Sequence, residues 1–113
     1  MHEQSIVEAL LALAIEKAQA SGAARIHRIH LVVGDLSGVV DESVEFYFGF
    51  LSRDTIAAQA RLAFRHVPAE LRCRDCDNTF VPEKMNLRCP GCGQQRVEIV
   101  AGRELYLDSL EVE

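Results

Sequence analysis

Cys73-Arg-Asp-Cys76 and Cys89-Pro-Gly-Cys92 are two C-x-x-C pairs separated by twelve residues. Each pair can set two thiolates on one tight turn, and two such turns brought together complete a tetrahedron. Zinc suits an S4 set, being soft enough for thiolates and indifferent to d-electron geometry. The second pair runs on into Gly93. Pro90 there fixes a turn angle, and the glycines let backbone N–H groups approach sulfur. A rubredoxin-like iron site and a redox dithiol are the competing readings; the latter fits a single C-x-x-C at a helix start better. Four thiolates on one zinc leave no position open for chemistry, so the predicted ribbon is structural and organises a segment too polar to build its own core.

The histidines offer a different chemistry. His27 and His30 lie three apart on a predicted strand, which sends them to opposite faces as ordinary sheet residues. His66, near a strand end before Pro68, reads as a surface residue. His2 stands apart because an α-amino group, an amide nitrogen and an imidazole occupy one dipeptide. These can close fused chelate rings in a nitrogen-rich plane, a geometry suited to Ni(II) or Cu(II). Glu3 can add an oxygen, and Met1 before a bulky histidine resists trimming and so supplies the amine. Asp41 opens a predicted helix, where a carboxylate ordinarily caps free N–H groups. There is no Ser/His/Asp set, no G-x-x-x-x-G-K loop and no supported acid/base carboxylate pair. The residues give no argument for an enzyme.

The elements that must carry these groups follow from periodicity. Ser5-Ile-Val-Glu8 reads as a capping box, and Ile6, Leu10, Leu13 and Ala14 recur at helical spacing, predicting a helix over 5–21 stopped by Gly22. Residues 25–34 alternate as a strand with Ile29, Leu31 and Val33 on one face. A second, aromatic-rich helix follows over 41–51. Then comes a strand with Leu62 and Phe64 inward and Pro68 at its end. Beyond the cysteine segment, "RVEIV" and "ELYLDSLEV" flank Ala101-Gly102-Arg103 and predict a closing hairpin. The expected fold is therefore α+β: a small mixed sheet with two helices, spanning 1–70 and 96–113, with a zinc ribbon inserted at 71–95.

At 113 residues with 49% hydrophobic side chains, the chain is one domain or two small ones. Seventeen acidic against twelve basic residues give a formal charge of −5, which opposes binding to phosphate backbones and anionic membranes. The longest apolar run, Ala9 to Ile15, is far below the roughly 20 residues that span a bilayer. With no basic leader in view, the reading is a soluble, cytoplasmic protein whose cysteines bind metal and form no disulfides. Arg72, Arg74, Lys84, Arg88 and Arg96 gather around the ribbon, so a zinc-ribbon nucleic-acid adaptor is an alternative. Overall acidity and the lack of interleaved aromatics weigh against it. A purely structural zinc protein is a second alternative.

Taken together, Met1-His2-Glu3, Ser5, the Val33-Gly34-Asp35-Leu36-Ser37-Gly38 loop and the two C-x-x-C pairs resemble the HypA/HybF family across essentially the whole chain. These are nickel-insertion metallochaperones of NiFe-hydrogenase maturation. The resemblance implies a nickel-binding α/β domain and a zinc-ribbon domain, with the last strand returning to the first domain's sheet. It implies Ni(II) as transient cargo held by the terminal amine, a nearby amide nitrogen and His2, with Glu3 contributing to or supporting the site and Asp41 associated with it. Cys73, Cys76, Cys89 and Cys92 carry over as zinc ligands. The implied partners are a nickel-handling maturation GTPase and the hydrogenase large-subunit precursor, with urease maturation a further client pathway and a monomer or homodimer as the working unit.

Overall fold

The computed structural model describes residues 3–84 and 86–113. The element order is α1 (Glu3–Ala20), β1 (Ile26–Gly34), α2 (Asp41–Leu51), β2 (Arg61–Val67), β3 (Glu70–Cys73), β4 (Thr79–Phe80), β5 (Val97–Ala101) and β6 (Leu105–Val112). They form two three-stranded sheets, ordered β2-β1-β6 and β4-β3-β5. This is the expected α+β architecture of two helices on a mixed sheet beside a separate cysteine-bearing sheet.

The first sheet is mixed for a topological reason. β1 and β2 run parallel, with Leu31 opposite Phe64 and Val33 opposite His66, and parallel neighbours require a crossover, which α2 supplies. β6 pairs antiparallel on the other edge of β1, with its register shifted between His30 and Leu31. Val7, Leu11, Ala14 and Ala18 of α1 fall on one helical face and are buried, as are Val44 and Phe48 of α2. They close over Ile29, Leu31 and Val33, and Leu62, Phe64, Leu105, Leu107 and Leu110 complete the layer. Burial of this apolar surface, at about 25 cal/mol per Å², is the main favourable contribution to the body's stability.

Two expectations are corrected. Ser5 does not cap α1: the helix already includes Glu3, so Ser5 lies in its first turn. The segments flanking Gly102 do not pair as a hairpin. β5 pairs with β3, and β6 crosses to β1. The leucines of β6 explain the choice, since only pairing with β1 lays them against the core helices.

The two sheets meet where three backbone segments cross. Gly34 N–H donates to the Glu104 carbonyl at 2.6 Å, and Leu36 N–H to the Gly102 carbonyl at 2.7 Å. A Cβ on Gly34 would overlap the Gly102 carbonyl, while one on Gly102 would stand 2.8 Å from Ala69 Cα. Gly102 also has a φ of 113°, which side-chain-bearing residues rarely adopt. Glycine at both positions lets the chain ends of β1, β3, β5 and β6 pass at backbone distance.

Candidate metal centres

The cysteine cluster is built by two knuckles of the same design. In the first, Cys73 N–H donates to the Asn78 carbonyl and Asp77 N–H to the Cys73 carbonyl, each at 2.8 Å. In the second, Cys89 N–H donates to the Gln94 carbonyl and Gly93 N–H to the Cys89 carbonyl, each at 2.9 Å. Both turns end on a left-handed residue, Asp77 at φ 61° and Gly93 at φ 76°. The first knuckle thus does without glycine because aspartate is among the few side chains that tolerate this conformation.

The four sulfurs lie within 4.8 Å of one another. Cys73 Sγ is 3.5 Å from Cys92 Sγ, and Cys76 Sγ is 3.6 Å from Cys89 Sγ. Thiolates at about 2.3 Å around a tetrahedral zinc stand about 3.8 Å apart, so the cluster already has the dimensions of an S4 cage. Cys73 and Cys89 are buried, Cys76 and Cys92 exposed.

Their proton affinities are split. Burial pushes the Cys89 thiol up, but the Cys92 and Gly91 N–H groups, the Asn78 amide and the Cys76 thiol together hold it down at about 6. Asn78 N–H pulls Cys76 down, yet Cys89, burial and the remaining two thiols push it up to about 12. Cys92 is also raised: burial and the thiols of Cys73 and Cys89 outweigh the Gln94 N–H that lowers it. One sulfur is ready as thiolate while its neighbours keep protons that a cation must displace.

The basic residues beside this cluster are neutralised locally. Arg72 and Arg74 both engage Glu98, and Arg96 reaches Asp75 at 3.1 Å. Arg88 donates to the Gly93 carbonyl at 2.8 Å and braces the second knuckle. Most of the cations counted for a nucleic-acid face are therefore committed to the ribbon's own carboxylates and turns.

A second candidate region lies where the starts of the two helices come together. Val40 precedes α2 in an extended conformation, and no side chain of its own caps the helix. Its N–H instead donates to Glu3 Oε2, 37 residues earlier, at 3.2 Å. Glu3 thus ties the start of α1 to the start of α2. Asp41 is the first residue of α2 and, contrary to the simple expectation, does not cap it. Its Oδ2 meets His66 Nε2 at 2.8 Å, and its Oδ1 is buried with no hydrogen-bond partner among the described residues. His66 is exposed, as expected, yet it is not isolated: its ring stacks on Phe64, with centroids 6.5 Å apart, and points to the α2 N-terminus.

The structure brings Glu3 and Asp41 into one neighbourhood. Met1 and His2 lie outside the described residues. His27 and His30 stay apart from this region, paired with Glu113 and Glu111 at the β1–β6 edge. The residue that sequence reasoning missed is His66. The sequence marks it only as a surface residue near a strand end, and only the β1–α2–β2 crossover reveals that Asp41 lies within reach of it.

Comparison with known proteins agrees with this architecture. Residues 1–112 match the family described as hydrogenase/urease nickel incorporation metallochaperone HypA. The chain is 45% identical over 113 residues to a hydrogenase maturation factor HypA of Dehalococcoides mccartyi, covering all of this chain and 95% of that one. It is 38% identical over 114 residues to that of Caldanaerobacter subterraneus, covering both completely. Among solved structures, the nickel metallochaperone HypA from Helicobacter pylori superimposes with a TM-score of 0.68 at 32% identity, over 99% of this chain and 97% of that one. A second HypA solution structure gives 0.75 at 30% identity, over 100% and 97%. With a fold, a four-cysteine cluster and a full-length match in agreement, the chain belongs to the HypA family of non-enzymatic nickel metallochaperones of hydrogenase maturation.

Proposed function

We propose that this chain holds Ni(II) as cargo at the start of α1 and releases it to a hydrogenase large-subunit precursor, working with a nickel-handling GTPase. The donors are the Met1 amine, the amide nitrogen and imidazole of His2, and the carboxylates of Glu3 and Asp41. The observation that carries this reading is the Glu3–Val40 hydrogen bond, which draws the start of α1 to the helix that begins with Asp41. A nitrogen-rich set suits Ni(II), and a chain end can exchange ligands with a client more readily than a closed cage can. Cys73, Cys76, Cys89 and Cys92 hold a resident structural zinc, for which their spacing is already right.

The chemistry required of the residues is simple. Amine and imidazole must shed protons to bind, so nickel affinity falls in mildly acidic solution. The test is a nickel titration, followed by absorbance, on untagged protein whose native amino terminus has been confirmed by mass. His2→Ala, or one residue added before Met1, should abolish tight nickel binding while leaving zinc content unchanged. Unimpaired nickel binding by both variants would sink the site.

A further inference from the structure

We propose that His66 is a positioning residue of the nickel site, acting through Asp41; this rests on the reading of Asp41 as a nickel ligand. His66 Nε2 lies 2.8 Å from Asp41 Oδ2, with the ring held at 23° to that of Phe64 on the same face of β2. One carboxylate oxygen is therefore fixed from the sheet side. The other, Oδ1, is buried and has no partner among the described residues. A buried acceptor left unpaired is costly, and native structures seldom keep one without a use. Binding a cation satisfies it.

The elements make the arrangement rigid. Val33 and His66 are register partners on adjacent strands, so the His66 backbone is held in the sheet ladder and not on a loop. Asp41 starts α2, whose Val44 and Phe48 are anchored in the core. Glu3 fixes Val40 from the other side. A carboxylate in this setting has little freedom to rotate, and the imidazole decides which oxygen remains for the metal. Partners of ligating carboxylates and histidines typically contribute 10–100-fold to metal affinity.

The experiment titrates zinc-loaded, full-length protein with nickel alone and compares wild type with His66→Ala, His66→Gln, Asp41→Ala, the Asp41→Ala/His66→Ala double variant and His2→Ala. Zinc content and circular dichroism check each fold. His66→Ala should weaken nickel binding by about tenfold or more. His66→Gln, whose amide can still donate to Oδ2, should recover most of that loss. The double variant should bind like Asp41→Ala alone, because a positioning residue has nothing left to position. Nickel K-edge absorption should count the same number of imidazoles in wild type and His66→Ala. Wild-type affinity in His66→Ala, additive losses in the double variant, a failed glutamine rescue or one imidazole fewer would each overturn the proposal. Unimpaired binding by His2→Ala would instead overturn the amino-terminal site on which it depends.

Discussion

Glu3 caps a helix to which it does not belong: its carboxylate accepts the N–H of Val40, the residue from which α2 starts. The same contact satisfies a free helix-end donor and sets where the first residues of the chain begin. These two roles separate by substitution. Glu3→Gln keeps an acceptor and should hold stability within about 0.5 kcal/mol, whereas Glu3→Ala removes a cap and should cost about 1 kcal/mol. Both should weaken nickel binding if the charge is also a ligand. Urea unfolding and nickel titration on the same samples check the pair; nickel affinity that tracks stability alone would make Glu3 only a brace.

Gly34 and Gly102 form the joint through which the cysteine-bearing sheet is attached to the body. A methyl group on Gly34 would overlap the Gly102 carbonyl, and this obstacle is backbone, not a flexible side chain. Gly34→Ala should therefore destabilise the protein by about 2–3 kcal/mol, at the upper end of overpacking costs. Gly49 has open space around its Cβ position, so Gly49→Ala in the last turn of α2 should be neutral or stabilising by up to about 1 kcal/mol. Urea midpoints for the two variants should move in opposite directions; a shared direction would remove the joint's significance.

The contrast between these sites and the helices shows what a sequence discloses. The spans of α1 and α2 and the inward faces of β1 and β2 rest on local periodicity, which burial then enforces. The face that α1 buries is nevertheless Val7, Leu11, Ala14 and Ala18, and Leu13 of the expected stripe is exposed. The cysteine cage was legible for the same reason, since each knuckle is closed by bonds between residues at most five apart. Glu3 with Val40, and Asp41 with His66, are separated by 37 and 25 residues. Those pairings are consequences of the crossover, and no spacing rule encodes them. The pairing of β5 and β6 was misread because a glycine turn between two strand patterns looks local. The hydrophobic demand of the core helices is not local, and it took β6 away.

Glu111 provides a pH signature for the β1–β6 edge. The hydrogen bond from His30 at 2.6 Å, with Arg28 beside it, holds its carboxyl below the ordinary value of 4.5. A depressed carboxylate contributes stability that is present above the unfolded value, near 4.5, and is lost as pH falls through the lower folded value. His30→Ala should therefore be less stable than wild type near pH 6, with the gap closing as both are acidified below 4. Urea unfolding across that range checks it, and a gap that widens in acid would reverse the assignment. The pair is solvent-exposed, so added salt should shrink the effect.

Zinc loading should be visible as proton release. In the metal-free cluster Cys76 is pushed up to about 12 and Cys92 is also raised, while Cys89 sits at about 6. At pH 7 the first two are thiols and Cys89 is largely thiolate, so a cation entering the cage must expel the protons of Cys76 and Cys92. Calorimetric titration of metal-free protein with zinc, repeated in buffers of different ionisation enthalpy, should show a heat that depends on the buffer. As pH falls, protons compete for all four sulfurs and zinc should be lost. Cys76→Ser should lower both the proton count and the zinc affinity, and should broaden amide signals of β3, β4 and β5 while leaving α1 and α2 folded, because the helices pack on the other sheet. Buffer-independent heats would mean that the thiols are already ionised before metal arrives.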